Sequence, residues 1–556
     1  MRETDAVEIL SRQDPWDAIV VGSGATGGVA AWRLTEAGLR VLVLEAGAPV
    51  RGRGEYGSLF ANASRAAYRH LFSNRQNVQK CHPTYWGTNP DFFVDDRENP
   101  YTTPEGKPFR WIRVRRVGGR TLAWGAVTLR FSDFEFKAAS HDGLGPDWPL
   151  THADLAPHYG VLERFLRVHG SREGLKQLPD GEFVAARPMT PAEGVFKQRV
   201  EARFRDRKVI ISRGIHGGRL PGPGEEHTRI SSTATTLAAA RATGRLTLQT
   251  DSVVSRVIVS ADGSRATGVE FVDRATNKTY EARAKVVFLC ASTIESVRIL
   301  MNSRSREHPA GIGASSGVLG HYLMDHSASN LYFTMPGVSN DGNEHEYSGS
   351  DSIMIPRFRN LGAKRESYYR GYGIWGCIQR LPVPSFLLKK RSDAFGLVCV
   401  RSEMLPHFEN RVELHPTLRD AWGIPAVHIT CEWKDHDRSL AESARTETTD
   451  MLEAAGAQVA SVTELFHTPL VGRFIRGMQN EWAMSTPGMF VHECGGARMG
   501  TDPKSAVVDP YGRCWDVKNL FVTDGACWPT SGWQNPTLTE MAITARACAR
   551  AAHDLR

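Results

Sequence analysis

Apolar and polar residues alternate near the N-terminus in a way that predicts a strand, a helix and a second strand. The apolar run DAIVVG at 17–22 predicts the first strand, and RVLVLEAG at 40–47 predicts the second. Between them, ATGGVAAWRLTEAG has the apolar spacing of a helix. The pattern therefore indicates a strand-helix-strand unit with a glycine-rich turn after its first strand.

Further along the chain, the pattern changes between helix and strand several times. Residues 151–206 have mainly helical spacing, whereas β-branched runs separated by turns predict strands between 226 and 300. Short alternating segments over 328–440 predict a large antiparallel sheet, and helices are predicted near 437–479. The apolar run NLFVTDGA at 519–526 predicts one more buried strand before a closing helix.

The order of these elements predicts two structural units that interleave in sequence. With 556 residues, the chain exceeds the length at which a single core keeps growing. We predict an α/β fold in which a Rossmann-type dinucleotide-binding domain interleaves with a substrate domain built on the large antiparallel sheet and its flanking helices. The first domain is expected to take 14–150, 226–327 and 485–556, and the second 151–225 and 328–484.

Composition narrows the class of protein. The hydrophobic fraction of 41% and the charged fraction of 23% are typical of a globular enzyme, and no apolar run is long enough to span a bilayer. The net charge of +7 is mild for this length and lacks the clustered basic stripe of a nucleic-acid-binding protein. No export signal is visible, so we expect a cytoplasmic protein, with export alongside a partner subunit as the alternative.

Nine cysteines are scattered along the chain without a C-x-x-C pair. Metal and iron–sulfur sites generally need such closely spaced ligands. We therefore predict no metal site and reduced thiols.

The segment GSGATG, from Gly22 to Gly27, has the glycine spacing of a dinucleotide-binding turn. Glycines at Gly22, Gly24 and Gly27 permit a tight turn and close approach of a pyrophosphate to the helix N-terminus. Glu45 stands 23 positions after Gly22, at the end of the next strand, where a carboxylate accepts ribose hydroxyls. The motif predicts a bound dinucleotide and leaves FAD and NAD open.

Two polar residues in the C-terminal part of the chain carry the candidate chemistry. Asn535 precedes Pro536 at the predicted start of the last helix, where an Asn side chain can cap the helix and also offer its amide to a ligand. His492 precedes a glycine pair in FVHECGGARMG at 490–500. A neutral imidazole titrates near neutral pH and is suited to act as a general base.

Six segments of the chain together resemble the glucose-methanol-choline oxidoreductases, which are flavoenzymes that oxidise alcohols and sugars. These segments are VVGSGATGG with LEAG, RRVGGRTLAWG at 115–125, LGHYLMDH at 319–326, HECGGARMGTDP at 492–503, NLFVTDGACWP at 519–529 and NPTLT at 535–539. They follow the order of the family from one end of the chain to the other. Within the family, the chain is similar to the sugar-oxidising branch that includes pyranose 2-oxidase and glycoside 3-dehydrogenases and 3-oxidases.

The resemblance implies a role for individual residues. His492 matches the catalytic base and Asn535 matches its partner, which is Asn or His across the family; Asn535 would hold the substrate hydroxyl by hydrogen bonding. His326 in LMDH is expected to be structural, while Trp533 and Gln534 are candidates to stack on and hydrogen-bond a sugar. The implied FAD-binding residues are Gly22, Gly24, Gly27, Glu45, Gly118, Gly119, Thr121, Trp124, Gly125, Val254, Asp524 and Thr537.

Two departures from the relatives bear on the flavin. Ala123 stands where pyranose 2-oxidase has the histidine that links covalently to the flavin, so FAD is expected to be held noncovalently. The segment 210–230 contains no cysteine, unlike the related membrane-associated glucose dehydrogenases with an iron–sulfur centre there. Electrons would therefore leave to oxygen, or to a quinone or cytochrome partner.

We expect FAD-dependent oxidation of a secondary sugar hydroxyl, at C3 or C2, to a keto-sugar. Three alternatives remain open: oxidation of a non-sugar alcohol, a flavin-containing lyase on the same fold, and a non-catalytic dinucleotide-binding protein.

Overall fold

The computed structural model describes residues 14–50, 73–82, 86–87, 89–215, 231–340, 352–362, 366–380, 387–467 and 486–556. The predicted helix near 437–479 reaches beyond these residues at 468–479, and the cysteine-free segment is described only as far as 215.

Within the described residues, seven strands form a mixed sheet that begins with the predicted strand-helix-strand unit. The parallel pairs are β7 with β2, β2 with β1, β1 with β10, and β10 with β18. The antiparallel pairs are β10 with β9 and β9 with β8. The parallel strands are rich in Val, Leu and Ile because both of their faces are buried. Their bounds are Trp16–Val21 (β1), Val41–Leu44 (β2), Leu246–Gln249 (β7), Ser252–Val259 (β8), Ala266–Asp273 (β9), Thr279–Leu289 (β10) and Leu520–Val522 (β18).

A second sheet of six strands, counted over the same residues, is antiparallel throughout. Its longest pair is β11 with β14, in which Ala328 lies opposite Arg401. The bounds are Ile210–Ile211 (β5), Ser327–Ser339 (β11), Ile353–Ile355 (β12), Tyr372–Ile378 (β13), Asp393–Ser402 (β14) and Gln458–Val459 (β17). Apart from Ser327, the first residue of β11, every residue of these strands lies in the ranges predicted for the substrate domain. The division into two domains stays a prediction.

Three short strands and two longer ones complete the strand set of the described residues. Strands β15 (Arg411–Arg419) and β16 (Pro425–Thr430) do not join the large sheet but form a separate sheet with β3 (Tyr101–Thr102). The parallel pairing of β16 with β3 is supported by the contact between Thr102 Oγ1 and His428 Nδ1 at 2.8 Å. The remaining strands, β4 (Val168–His169) and β6 (Gly214–Ile215), pair with each other.

Helices pack on both sheets. Helix α4 stacks Phe165 on Trp32 of α1, with ring centroids 4.0 Å apart, so it belongs to the layer that covers the mixed sheet. Helices α5 and α8 cover one face of the antiparallel sheet with residues such as Phe196 and Leu440. The bounds are Ala25–Glu36 (α1), Asp133–Phe136 (α2), Ala138–Asp142 (α3), His152–Leu166 (α4), Pro191–Arg203 (α5), Thr236–Ala242 (α6), Thr293–Asn302 (α7), Asp435–Ala454 (α8), Val462–Leu465 (α9) and Thr537–Asp554 (α10).

Two further observations concern the described residues as a set. None of their helices is long and apolar enough to cross a membrane. All nine cysteines lie among them, each buried and none of them in a disulfide bond.

Candidate active site

The glycine-rich turn between β1 and α1 is tight because side chains are sterically excluded at two of its glycines. Gly22 has a φ of +97°, and a Cβ there would lie 2.3 Å from the carbonyl oxygen of Cys290. A Cβ at Gly27 would lie 2.0 Å from the carbonyl oxygen of Gly22. At Gly24, by contrast, a Cβ would meet nothing within 4 Å. The turn therefore packs tightly against the backbone at Gly22 and Gly27 and leaves space at Gly24. This space lies at the N-terminus of α1, where the helix dipole favours an anion.

Glu45 lies at the edge of this open space, directly after β2. Its carboxylate accepts hydrogen bonds from the Ser23 backbone N–H at 3.0 Å, the Ser23 hydroxyl at 2.5 Å and the Gly47 N–H at 2.7 Å. Burial raises the pKa of Glu45, while these hydrogen bonds lower it. The carboxylate is thus fixed by the turn that it faces.

A second glycine turn, at Gly118 and Gly119, packs against the first one. The Gly118 N–H donates to the hydroxyl of Ser23 at 3.0 Å, and a Cβ at Gly119 would lie 3.2 Å from Cα of Gly24. Thr121 stabilises this turn by donating its hydroxyl to the Gly118 carbonyl at 2.6 Å. Gly118 has a φ of +102°, which explains the need for glycine.

One cavity runs from these turns to His492. The predicted residues that line it are Gly22, Gly24, Glu45, Gly119, Thr121, Trp124, Val254, His492, Asp524 and Thr537. Gly27, Gly118 and Gly125 belong to the same turns without lining the cavity themselves. The structure thus brings residues from five distant parts of the chain to one space, and their role in binding a cofactor stays a prediction.

The cavity also fits an anionic dinucleotide by its unsatisfied donors. Arg113 Nε and Arg115 Nη1 are buried and have no hydrogen-bond partner among the described residues, and both arginines line the cavity. A buried donor without a partner is costly, and a phosphate or flavin carbonyl would satisfy it. Neither arginine is among the cofactor-binding residues predicted from the sequence, although Arg115 is the first residue of the motif RRVGGRTLAWG.

Three buried carboxyl groups surround Arg120 at the cavity wall. Arg120 Nη1 donates to Glu493 Oε2 at 2.6 Å. Burial raises the pKa of Asp524 to about 6, and burial together with the charge of Asp524 raises the pKa of Glu540 to about 8. Asp524 also accepts a hydrogen bond from the Ala526 N–H at 3.1 Å, so it caps a turn as well as lining the cavity.

His492 forms a hydrogen-bonded pair with a second histidine. Its Nδ1 lies 2.9 Å from Nδ1 of His326, and the two rings are nearly perpendicular at 82°. His326 Nε2 contacts the carbonyl oxygen of Gly532. Burial, followed by the charge of Arg401, lowers the pKa of His326 to about 4, so its ring is neutral at pH 7.

These contacts fix the tautomer of His492. A carbonyl oxygen only accepts, so His326 must carry its proton on Nε2 and accept at Nδ1. His492 must then donate from Nδ1, which leaves Nε2 of His492 as an unprotonated lone pair. Burial lowers the pKa of His492 well below its ordinary value, with His326 and Arg401 as the next contributors. The ring is therefore neutral and basic at the atom that faces Asn535.

Asn535 does not cap the last helix, which corrects the prediction that it would. Helix α10 begins at Thr537 after Pro536, and no side chain caps it. Instead the Asn535 Oδ1 accepts from Arg401 Nη1, and its Nδ2 lies 3.4 Å from His492 Nε2. The bond from Arg401 holds the amide with its nitrogen toward His492, because a guanidinium only donates. The pairing of His492 with Asn535 that the sequence predicted is present.

Asp325 holds the chain segment that carries His492. Its carboxylate accepts from the backbone N–H groups of Gly488, Phe490, His492 and His326 at 2.9 to 3.2 Å. Burial and the charge of Glu493 raise the pKa of Asp325 to about 7 despite these bonds. Asp325 and His326 of LMDH thus both contact His492, the first by accepting from the His492 backbone N–H and the second through its ring.

Trp533 and Gln534 are more deeply buried than expected for residues that contact a sugar. Both side chains are 1% exposed, and the Trp533 ring lies so close to Gly373 that a Cβ there would be 2.1 Å from it. The Trp533 Nε1 and both amide atoms of Gln534 have no hydrogen-bond partner within the described part of the chain. Their assignment as substrate-binding residues stays a prediction.

Sequence reasoning missed Arg401 and undervalued His326. Arg401 lies on β14, whose only signal is the alternation of a sheet strand, and nothing in that alternation marks a residue that will meet Asn535. For His326, the signal was present as a second histidine beside an aspartate in LMDH.

Comparison with known proteins gives the following matches. A family model described as GMC oxidoreductase matches residues 406–544, and a second with the same description matches 199–328. A model of the NAD(P)-binding Rossmann-like domain matches 20–70. The 2-methyl-1,2-propanediol dehydrogenase of Mycolicibacterium austroafricanum is 26% identical, over 96% of this chain and 94% of its own length. The 6'''-hydroxyparomomycin C oxidase of Streptomyces lividus is 29% identical, over 99% of this chain and 95% of its own.

A solved structure confirms the fold class. The crystal structure of pyridoxine 4-oxidase from Mesorbium loti superposes with a TM-score of 0.61 at 20% identity, over 97% of this chain and 99% of that one. Together with the cavity and the paired His492 and Asn535, the two family matches give the identity of the fold and of its chemistry. The chain belongs to the GMC (glucose-methanol-choline) oxidoreductases, flavin enzymes that act on CH–OH groups.

Proposed function

We propose that this protein oxidises a secondary hydroxyl of a sugar or glycoside to a ketone, at C3 with C2 as the alternative, using noncovalently bound FAD. The observation that carries the proposal is the hydrogen-bond chain from Gly532 through His326 to His492, which presents the unprotonated Nε2 of His492 beside Asn535. Removal of a hydroxyl proton requires a neutral base at that place.

His492 is the base in this proposal, and Asn535 positions the hydroxyl. Because Arg401 accepts no hydrogen bond and holds Oδ1 of Asn535, the amide nitrogen is left to donate to the substrate oxygen. Hydrogen bonding of this kind stabilises the negative charge that develops as the proton leaves. When bound, FAD supplies the acceptor for the hydride from the same carbon.

The two glycine turns, the N-terminus of α1, Glu45 and the donors of Arg113 and Arg115 would hold the dinucleotide. Ala123 is buried and has no nucleophilic atom, which supports noncovalent attachment. The electron acceptor is proposed to be oxygen, a quinone or a cytochrome.

The sugar class rests on two kinds of support. The resemblance of the six motifs is to the sugar-oxidising branch, and one relative acts on hydroxyparomomycin by its name. Another relative is named for a diol, so a non-sugar alcohol is the competing substrate class.

The test is an anaerobic screen of monosaccharides, O-glycosides and C-glycosides against the yellow protein. We expect a sugar or glycoside to bleach the yellow flavin absorbance, because hydride transfer reduces the flavin, and we expect the product to carry a ketone at C3 or C2. Simple diols and primary alcohols serve as the comparison set. Bleaching by these alone would assign the protein to non-sugar alcohols, and conversion without bleaching would indicate a lyase.

A further prediction concerns His326 as a positioning residue. His326→Leu removes the acceptor for His492 Nδ1–H, so the tautomer is no longer fixed, and we expect kcat to fall by about 10- to 100-fold, the worth of one buried hydrogen bond. His326→Gln retains an acceptor and a donor and should recover most of the loss. The measurement is kcat and KM for the best substrate, with KM expected to change little.

A purely structural role for His326 would instead show as lost flavin or a lowered melting temperature in both variants. Equal losses of kcat in the Leu and Gln variants would contradict the tautomer argument.

A further inference from the structure

Arg401 lies beside the catalytic pair, on the face of the antiparallel sheet that looks toward the C-terminal segment. It is opposite Ala328 on β11 and Gly373 on β13. Side chains opposite one another in an antiparallel pair point to the same face, so Arg401 shares its face with Cys399 and Trp375 two positions away. Both of these pack with Phe490 and Trp533. Arg401 itself remains partly exposed.

The charge of Arg401 is not balanced by any carboxylate in the described residues. Its contacts there are neutral: the amide oxygen of Asn535, the ring of Phe490 with its centroid 5.2 Å from Cζ, and the thiol of Cys399. Its Nε is buried without a hydrogen-bond partner among those residues.

Other buried arginines differ from Arg401 in having a carboxylate partner. Four of those in the described residues are each paired with a carboxylate: Arg130 with Glu163 at 2.5 Å, Arg298 with Asp420 at 2.7 Å, Arg380 with Glu193 at 2.7 Å and Arg357 with Glu403 at 3.0 Å. A cation removed from water needs such a partner. The buried donors of Arg113 and Arg115 that lack partners lie in the dinucleotide cavity, where an anion is expected.

An unbalanced cation at this place also opposes the reaction. When His492 takes up a proton, a second positive charge forms within reach of Arg401, and like charges repel. The influence is direct, because Arg401 lowers the pKa of both histidines of the pair. A negative charge next to Arg401 would balance the guanidinium and favour proton uptake by His492.

We propose that Arg401 binds a negatively charged group of the substrate, so that the preferred substrate is an acidic sugar carrying a carboxylate, such as a uronate or aldonate. This inference rests on the proposed function and narrows its substrate class. Guanidinium groups match carboxylates in charge and geometry, and such charge-assisted hydrogen bonds are among the strong ones. The acid would both anchor the sugar and complete the charge balance of the base.

The test compares methyl glucuronoside with methyl glucoside, which share a ring and differ at C6, in the flavin-loaded protein. We expect kcat/KM to favour the acid by about 10- to 100-fold, the worth of one charge-assisted contact. Arg401→Gln should reduce this ratio to about one, mainly through KM of the acid, and Arg401→Lys should keep part of it. Arg245→Gln, at an exposed arginine whose guanidinium donates to the Thr243 carbonyl, is the matched control and should keep the full ratio.

The ratio is the decisive quantity because a loss of Asn535 orientation in the Arg401 variants lowers turnover of both substrates alike. A wild-type preference for the neutral glycoside, or an acid preference that survives Arg401→Gln, would overturn the inference while leaving sugar oxidation intact. Glucose 6-phosphate is a separate arm, and a preference for it over glucuronoside would replace the carboxylate with a phosphate.

If the wild-type protein turns over none of these sugars, the proposed function fails, and binding still decides the inference. Glucuronate is then titrated against tryptophan fluorescence in the wild type and in Arg401→Gln. Saturable binding that the substitution weakens by about 10-fold or more supports an anion site at Arg401, and equal binding or none overturns it.

Discussion

Replacing His492 with Ala is expected to lower kcat by about 10²- to 10⁴-fold, the usual contribution of a positioned general base. The loss arises because the neighbouring imidazole cannot substitute: His326 directs Nε2 to the Gly532 carbonyl and Nδ1 to His492 itself. The variant should remain yellow, since the glycine turns and the arginine donors are untouched. The measurement is the rate of anaerobic flavin reduction by the best substrate in a stopped-flow instrument.

Added imidazole is the internal control for His492→Ala, because a small base that enters the vacated space should restore part of the rate. His553→Ala, at an exposed histidine near the end of α10, is the matched variant and should be indistinguishable from the wild type. Unchanged flavin reduction in His492→Ala would remove His492 as the base.

Replacing Gly22 with Ala is expected to abolish flavin retention and to destabilise the fold. At a φ of +97°, an alanine costs about 1–2 kcal/mol in backbone strain. The new Cβ would also lie 2.3 Å from the Cys290 carbonyl oxygen, directly after the central strand β10, and relieving such a clash costs about 1–3 kcal/mol more. The measurements are the ratio of flavin to protein absorbance after purification and the free energy of unfolding.

Gly38→Ala separates strain from collision. Gly38 has a nearly identical φ of +93°, but a Cβ there would meet nothing within 4 Å. We expect this variant to lose only the strain energy of about 1–2 kcal/mol and to keep its flavin. Equal behaviour of the two variants would show that the close approach at Gly22 has no part in cofactor binding.

The sequence predicts those parts of the fold in which local pattern and tertiary environment agree. Strands β1 and β2 are continuous apolar runs that end within a few residues of their predicted limits, because a parallel strand buried on both faces has no polar positions to confuse the pattern. The glycines of the first turn can be predicted from the sequence because a tight turn leaves no room for side chains, and the structure shows this at Gly22 and Gly27.

Other features depend on contacts between residues far apart in the chain, which no local pattern contains. Strands β15 and β16 alternate like the strands of the large sheet, yet they pair with each other, and β16 pairs with β3, more than 300 residues away. Arg401 and Asn535 are separated by 134 positions, and their contact decides which way the amide points. The capping preference of Asn was a sound local rule that this distant cation overrides.

The start of α10 has no side-chain cap, so capping the helix and contacting His492 are not both required of Asn535. Asn535 contributes no hydrogen bond to the helix, and its side chain contacts Arg401 and His492 instead. Pro536 and the buried face of the helix stabilise the helix itself. Substitutions at position 535 are therefore expected to leave the start of α10 intact and to act through the contacts with Arg401 and His492.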